Sequence, residues 1–236
     1  GVAAITLNRP DKGNAINEQM RIELATCCEA LANDANVRIV VLRSAGKHFC
    51  AGADVSGPRS PEGTIPKPAT LADVLHGLDT LPKPLIGIVQ GAAAGAGAAM
   101  AAVCDVIIAL EGSFFSIPEV RMGFAPGGIQ PVLIRAMGTR QYRRYAMSGE
   151  RIHADAALRI GMAHETCSPD QLDSIIVPMI DAFMLGAPGA QAETKKAVAA
   201  AEKGELYTMT GGMGSPEAKE GVAAFREKRK PAWYRS

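Results

Sequence analysis

The chain has 236 residues, of which 47% are hydrophobic and 21% charged, as is ordinary for a compact globular protein. Its 25 basic and 24 acidic side chains leave a net charge of +1, which gives no reason to expect a nucleic-acid or anionic-membrane partner. The length fits one α/β core with a small appendage, or two small domains.

The first two thirds of the chain alternate strand-like and helix-like segments. Val2–Leu7 and Val37–Leu42 are short β-branched runs. Between them, Asn17 is placed to cap a helix whose apolar residues recur every three or four positions. Further buried strands are predicted at Leu85–Val89, Asp105–Leu110 and Ser113–Ile117. Apolar strands separated by helices favour a largely parallel sheet covered on both faces.

One uncharged stretch, Pro84–Cys104, is long enough to span a membrane and contains a GxxxG pattern at residues 91–95. The stretch begins with a proline, carries Gln90 and consists mostly of alanine and glycine. We therefore interpret it as a buried strand, a glycine turn and a buried helix, and we expect no membrane partner.

From Ile129 onward the pattern is helical. Glycines follow the ends of successive helical segments, where left-handed caps are expected: Gly138, Gly149 and Gly161. The segment 186–189, Gly-Ala-Pro-Gly, indicates a hinge. We therefore divide the chain into an α/β core, residues 1–186, and a helical C-terminal region, residues 187–236.

Two segments have the composition of loops. Ser56–Pro68 contains four prolines and two glycines, and Gly204–Ser215 is rich in glycine and short of apolar residues. A lid over a bound ligand and a plain connection both fit the first segment.

Three stretches place very small residues at the ends of predicted strands: Gly46–Asp54, Gln90–Met100 and Ile117–Gly128. Small residues let a ligand approach the backbone, so that amide N–H groups donate to it. In an open α/β sheet, ligand crevices lie beyond the carboxyl ends of the strands. These stretches are therefore candidates for a common site.

The same stretches carry what enolate chemistry requires. Charge that develops on a thioester oxygen is stabilised by two preorganised N–H donors, and a helix start supplies one of them with its dipole aligned. The alanine-rich segment from Gly95 is such a start. A carboxylate must then move a proton, and Glu119 is a suitable candidate.

Together these motifs resemble the enoyl-CoA hydratase/isomerase (crotonase) family, from near residue 1 to Trp233. The resemblance is carried, in order, by Asn8-Arg-Pro10 with Asn14-Ala15, Phe49–Asp54, Gln90–Asp105, Pro118-Glu119 and the tail Glu217–Lys230. The segments 117–125 and 228–233 look most similar to bacterial methylglutaconyl-CoA-hydratase-like members. Five motifs in order at suitable spacing are far more specific than any one of them.

The resemblance implies a spiral of ββα units with a C-terminal helical trimerisation region, assembled as a homotrimer or a dimer of trimers. It implies an oxyanion hole formed by the N–H groups of Ala53 and Ala96, with Glu119 as acid/base. Coenzyme A enters as part of the substrate, an acyl-CoA thioester, so no separate cofactor is expected. The implied substrate- and CoA-binding residues are Lys12, Gly13, Ala15, Ala51, Asp54, Val55 and Gly95, with Phe225 and Lys228 acting on the CoA of a neighbouring subunit.

Two departures from the family pattern bear on function. The first of two family glutamates is Ala99 here, and the middle glycine of a triple-glycine turn is Ala96. The resemblance predicts hydration of a 2,3-unsaturated acyl-CoA. A single carboxylate also suits a Δ3/Δ2-enoyl-CoA isomerase. The loss of the glutamate leaves open a catalytically impaired member that binds acyl-CoA.

Several residues have competing structural interpretations. Asp54 suits a cap of the following turn as well as a CoA contact, and Lys12 suits a solvated surface position as well as a CoA contact. The four histidines show no metal-ligand spacing, so we expect them to have structural hydrogen-bonding roles and expect no metal site. The five cysteines, with no CxxC pair, favour free thiols in a reducing cytoplasm.

Overall fold

The computed structural model describes residues 1–54, 56 and 68–235. The strands are β1 (Val2–Leu7), β2 (Ile39–Ser44), β3 (Leu85–Val89), β4 (Ala92–Ala94), β5 (Val106–Leu110), β6 (Phe114–Ser116), β7 (Ile152–His153) and β8 (Glu165–Cys167). The α-helices are α1 (Glu18–Asn33), α2 (Leu71–Asp79), α3 (Ala96–Ala102), α4 (Gln130–Ser148), α5 (Ala154–Arg159), α6 (Leu172–Leu185), α7 (Pro188–Glu202) and α8 (Pro216–Glu227). Short 3-10 helices span Pro10–Lys12, Glu119–Met122 and Pro169–Gln171.

The main sheet has five parallel strands in the order β1-β2-β3-β5-β8. Alternate residues of each strand enter different cores: in β3, Leu85 and Val89 join the larger hydrophobic cluster, whereas Ile86 and Ile88 join the smaller one. This alternation is what a strand buried on both faces requires. The predicted parallel sheet with two covered faces is therefore confirmed. β2 begins two residues later than predicted, because its pairing with β1 starts at Ile39 opposite Val2.

A second sheet, in the order β4-β6-β7, was not predicted from the sequence as a separate layer. β4 runs parallel to β6, and β6 runs antiparallel to β7. Isolated parallel bridges, Ile16 with Ala53 and Cys50 with Ala93, extend the layer to the loops after β1 and β2. Its strands are two or three residues long, and β4 is three alanines, so strand propensity gives almost no signal.

The helices begin and end largely as local chemistry predicts. The Asn17 side chain accepts a hydrogen bond from the Met20 N–H at 2.9 Å and so caps α1, as expected. Gly149 follows α4 in the left-handed conformation, φ 65°. Two helices were predicted where α4 lies, and the structure has one helical stretch interrupted at Gly138, whose φ of 77° and ψ of 156° are not helical.

The uncharged stretch forms β3, β4 and α3, which confirms its interpretation as strand, turn and buried helix. Within the described residues no single helix has the length and apolarity to span a membrane. α6, taken with the 3-10 turn before it, and α7 pass that length-and-composition test jointly, but they are bent by 99° relative to each other.

The C-terminal helices pack on the chain's own core. Lys195 on α7 forms an ion pair with Asp105 at 2.8 Å, at the start of β5. The buried Arg38, immediately before β2, donates to the carbonyl oxygens of Trp233 at 2.6 Å and Gly186 at 2.7 Å. The tail therefore lies at the amino-terminal edge of the main sheet. The division at residue 186 stays a prediction.

Candidate active site

Three segments of the second sheet run parallel and in register, and all three end at the same edge. Cys50 pairs with Ala93, and Ala93 pairs with Phe115. The candidate catalytic residues follow these paired positions by three or four residues in each segment. Because parallel segments place their carboxyl ends together, residues far apart in sequence are brought to one place.

Two backbone amides at this edge have no hydrogen-bond acceptor in the part of the chain that the structure describes. The N–H groups of Ala53 and Ala96 donate to no backbone oxygen within residues 1–54, 56 and 68–235, whereas the adjoining N–H groups of Asp54 and Gly95 are both bonded. Ala96 is the first residue of α3, where an N–H group has no acceptor inside the helix. The N–H groups of Ala53 and Ala96 are therefore free to donate to a ligand, as an oxyanion hole requires.

Glycines allow α3 to approach the segment that carries Ala53. A Cβ atom on Gly97 would lie 2.4 Å from the carbonyl oxygen of Cys50, and one on Gly52 would lie 3.2 Å from that of Ala94. The first position is impossible without a backbone shift, so Gly97 sets the distance between the two segments.

Glu119 opens the 3-10 helix that follows β6, and the residue is 8% exposed. Its Oε2 is buried and has no hydrogen-bond partner among the described residues. Its Oε1 would be 2.7 Å from a Cβ atom on Gly95, so the carboxylate lies against the backbone that precedes Ala96. Burial raises the pKa of Glu119 above its ordinary value. A buried carboxyl group with one unpaired oxygen, close to a free N–H donor, is suited to proton transfer.

Ala99 is fully buried on α3 and belongs to the larger hydrophobic cluster. A methyl group therefore lies at the position where the resemblance expects the first glutamate. Of the two positions where the family pattern has a glutamate, position 119 carries a carboxylate and position 99 does not.

The candidate CoA-binding loops lie side by side. The Ala51 N–H donates to the Gly13 carbonyl at 2.9 Å, and the Ile16 N–H donates to that of Gly52 at 2.8 Å. Lys12 is exposed beside them. The structure thus brings residues 12–15 next to residues 51–54. Val55 lies outside the described residues, as do residues 57–67, so both interpretations of residues 56–68, a lid and a plain connection, stay predictions.

Asp54 has structural partners on both carboxylate oxygens. Its Oδ1 accepts from the N–H of Ser56 at 3.0 Å and from its hydroxyl at 2.7 Å, and its Oδ2 pairs with Arg9 at 3.1 Å. The Ser56 hydrogen bonds, and then Arg9, lower the pKa of Asp54 to about 2. These contacts match the turn-capping interpretation.

Asn14 belongs to the first of the family-like motifs, and its structural role was not predicted from the sequence. It is 1% exposed with a positive φ of 55°. Its side-chain amide donates to the carbonyls of Ala45 at 2.8 Å and His48 at 2.7 Å, and its oxygen accepts from the Arg9 N–H at 2.7 Å. Asn14 therefore ties the loop after β1 to the loop after β2. Its place in the motif, four residues after Arg9-Pro10, was the available signal.

Two of the four histidines accept backbone hydrogen bonds. His48 Nδ1 accepts from the Ala92 N–H at 3.1 Å, and His164 Nδ1 accepts from the Ile107 N–H at 3.0 Å. These are the structural roles expected for them. In the described part of the chain, no group of three or more His, Cys, Asp or Glu side chains is arranged to hold a metal ion.

Phe225 and Lys228 are not brought to this site within one chain. Phe225 is 86% exposed on α8, and Lys228 ends that helix in the left-handed conformation, φ 54°. α8 belongs to the tail at the opposite, amino-terminal edge of the main sheet. Their contact with the CoA of a neighbouring subunit stays a prediction.

Comparison with known proteins agrees with this geometry. The family described as "Enoyl-CoA hydratase/isomerase" matches residues 1–236. A short-chain-enoyl-CoA hydratase from Clostridium acetobutylicum is 33% identical over 97% of this chain and 92% of that protein. The 2,3-dehydroadipyl-CoA hydratase of Escherichia coli is 30% identical over 98% and 94%. A trans-2-decenoyl-[acyl-carrier-protein] isomerase from Streptococcus mutans is 31% identical over 98% and 94%.

Solved structures show the same fold. Pseudomonas aeruginosa AtuE has a TM-score of 0.90 at 34% identity, covering all of this chain and 96% of the other. An enoyl-CoA hydratase/isomerase from Marinobacter aquaeolei has a TM-score of 0.88 at 32% identity, covering 99% and 96%. The predicted crotonase-like α/β fold is confirmed. The chain belongs to the enoyl-CoA hydratase/isomerase family.

Proposed function

We propose that the chain is an enoyl-CoA hydratase that adds water to a 2,3-unsaturated acyl-CoA. The observation that carries the proposal is the pair of unbonded amides, Ala53 and Ala96, beside the buried carboxyl group of Glu119. The amides hold the thioester oxygen, and Glu119 moves the proton. Coenzyme A is part of the substrate, so the reaction needs no separate cofactor.

The step conserves atoms and charge. One O–H bond of water breaks and its proton goes to Glu119, while the water oxygen bonds to C3 of the substrate. The electron pair of the C2=C3 double bond forms a new double bond between C1 and C2, and the carbonyl pair moves onto the thioester oxygen, where the two N–H donors stabilise the negative charge. Glu119 then returns its proton to C2. A carboxyl group whose pKa is raised by burial performs both transfers more readily.

The second candidate is a Δ3/Δ2-enoyl-CoA isomerase. Ala99 favours it, because isomerisation needs only one carboxylate, which carries a proton between C2 and C4. The Streptococcus mutans relative named as an isomerase supports this alternative, and the two relatives named as hydratases support the first. A third candidate binds acyl-CoA without turnover.

One assay separates the three candidates. The ultraviolet absorbance of the conjugated thioester is followed with crotonyl-CoA, methylglutaconyl-CoA and a 3-enoyl-CoA. Loss of absorbance with the first two establishes a hydratase, and a rise with the 3-enoyl substrate alone establishes an isomerase. CoA-ester binding without any change in absorbance would contradict both enzymatic proposals.

We also propose that the chain forms a homotrimer or a dimer of trimers through the region 187–236, with Phe225 and Lys228 contacting the CoA of a neighbouring subunit. The exposure of Phe225 supports this, since a large apolar side chain on a surface helix favours an interface. Light scattering measures the assembly. Phe225→Ala and Lys228→Ala should raise KM, whereas Met213→Ala, equally exposed in the preceding loop, should not.

A cytoplasmic location completes the proposal. Its support is that all five cysteines are free thiols in the structure.

A further inference from the structure

The segment 120–149, which follows Glu119 directly, concentrates positive charge. It contains five arginines and no aspartate, glutamate or lysine, although the whole chain has a net charge of only +1. Arg135 is neutralised by ion pairs with Asp79 and Glu202. The other four lie in the 3-10 helix that Glu119 opens or in the second half of α4: Arg121, Arg140, Arg143 and Arg144.

Three of these arginines line one open depression on α4. Arg140, Arg143 and Arg144 are spaced three and four residues apart, which places them on one face of the helix. Met147, three residues after Arg144, continues this face and is 71% exposed. Arg144 pairs with Glu150 at 2.8 Å, whereas the exposed Arg140 and Arg143 have no hydrogen bond or ion pair with any described residue. Like charges at this spacing destabilise a helix, so stability does not explain them.

The depression adjoins the 3-10 helix that carries Glu119. Its fifth lining residue is Ser148, whose carbonyl oxygen accepts a hydrogen bond from Arg121 Nε at 3.1 Å. The aliphatic part of Arg121 packs on Gly149, where a Cβ atom would lie 3.0 Å from its Cδ. Arg121 is two residues after Glu119, so their Cα atoms are at most about 7.6 Å apart. The basic residues beside the candidate carboxylate form the arginine surface: Arg121, Arg140, Arg143, Arg144 and Met147.

The chemistry of the arginine surface favours an acidic protein over other anions. A guanidinium group binds a carboxylate through two parallel N–H···O bonds, and the exposed Met147 offers an adaptable apolar contact beside it. The depression is open, whereas small ligands are held in concave sites that bury most of their surface. Single-stranded nucleic acids are bound by aromatic side chains that stack on bases, and none of the described residues lining the depression is aromatic.

We propose that the arginine surface docks an acidic carrier protein that presents the enoyl group as a phosphopantetheine thioester. CoA and such a carrier hold the acyl group on the same phosphopantetheine arm, so the amides of Ala53 and Ala96 meet the same thioester oxygen in both. The length of the arm lets the carrier bind beside the active site while its thioester enters it. The inference rests on the proposed enoyl-thioester chemistry and extends it to a second class of substrate.

The test compares one acyl group on three carriers. Crotonyl thioesters of a purified acidic acyl carrier protein, of CoA and of pantetheine are given to the full chain, and kcat/KM is measured from the conjugated-thioester absorbance at several salt concentrations. Fluorescence anisotropy of the labelled carrier protein measures docking independently of turnover. The Arg140→Gln/Arg143→Gln variant should fold, because neither side chain has a partner in the described chain. Arg43→Gln/Arg159→Gln removes the same charge from exposed positions outside the arginine surface and is the matched control.

We expect the wild type to prefer the carrier-protein thioester to crotonyl-pantetheine by about 10-fold or more at low salt, because opposite charges speed association. Added salt should remove this preference by screening the charges. The Arg140→Gln/Arg143→Gln variant should lose about 10-fold or more in kcat/KM with the carrier-protein thioester and keep the wild-type value with crotonyl-pantetheine. The control variant should match the wild type with both substrates.

Several results would overturn the docking surface. These are no preference in the wild type, an equal loss in the control variant, or tighter binding of a single-stranded RNA than of the carrier protein. Equal losses with the CoA and carrier-protein thioesters would assign the arginines to phosphate groups instead, and a changed mass in light scattering would assign them to a subunit interface. A wild type that binds the carrier protein through these arginines but turns over no thioester would support the docking surface and overturn the proposed reaction alone.

Discussion

Replacement of Glu119 by glutamine tests the centre of the proposed mechanism. The amide has the same shape as the carboxyl group but neither accepts nor returns the proton. General acid–base catalysis contributes about 10²- to 10⁴-fold to a rate. We expect a loss toward the upper end, about 10³-fold or more, which corresponds to about 4 kcal/mol of transition-state stabilisation. The reason is structural: the neighbouring position that could supply a second carboxylate is the buried methyl group of Ala99.

The stability of the same variant has a predicted sign. Because burial raises the pKa of Glu119 above 4.5, its ionised form costs free energy of folding. That cost is absent below the ordinary carboxyl range and fully present above the raised pKa. Glu119→Gln removes it, so the variant should melt at the same temperature as the wild type or higher at neutral pH. The wild type alone should recover this stability as the pH falls through the window above 4.5.

The assay is the loss of conjugated-thioester absorbance with crotonyl-CoA, measured as kcat/KM across a range of pH. The wild-type rate should fall as the solution is acidified through the raised pKa of Glu119. Glu111→Gln, an exposed glutamate in the turn before β6, is the matched control and should behave as wild type. A Glu119→Gln variant that retains most of the wild-type rate would refute the assignment of proton transfer to this residue.

Three further outcomes follow from contacts described above. Gly97→Ala should lower the free energy of unfolding by about 1–3 kcal/mol and reduce turnover, because the new Cβ atom would meet the carbonyl oxygen of Cys50. Thermal melting measures the loss. Gly127→Ala is the control and should be neutral, because a Cβ atom there has open space. Asp54→Asn should raise KM and destabilise the fold. Because the pKa of Asp54 is lowered to about 2, the stabilisation that its carboxylate gives is complete above pH 3.8 and is lost as the pH falls toward 2. Acid titrations of the wild type and the variant measure this difference. Alkylation at neutral pH should label Cys27 first, because Cys27 is partly exposed and the other four thiols are buried, and burial raises the pKa of every one of them; mass spectrometry identifies the order.

The main sheet could be predicted from sequence because its strands are β-branched and uniformly apolar. β1 and β3 were predicted at their observed bounds, and the helix cap at Asn17 follows from local chemistry. The second sheet could not be predicted, because β4 is three alanines whose pairing depends on partners distant in sequence. Its existence is a tertiary effect, and propensity carries no information about it.

The site was predictable only where its residues belong to local sequence motifs. Glu119 and the small residues near it form recognisable local motifs, so they could be named from sequence. The partnerships of Asp54 with Arg9 and of Asn14 with two carbonyls are long-range contacts that no local pattern encodes.

The register of the second sheet has a consequence for folding. The two amide donors and the carboxylate are contributed by segments that end near residues 53, 96 and 119, and they meet only after those segments have paired. Pairing between segments so far apart along the chain is entropically slow. A chain emerging from the ribosome therefore lacks the complete set of two amide donors and one carboxylate until residue 119 is available, and catalytic competence arises in one late event rather than by gradual improvement of a half-formed pocket.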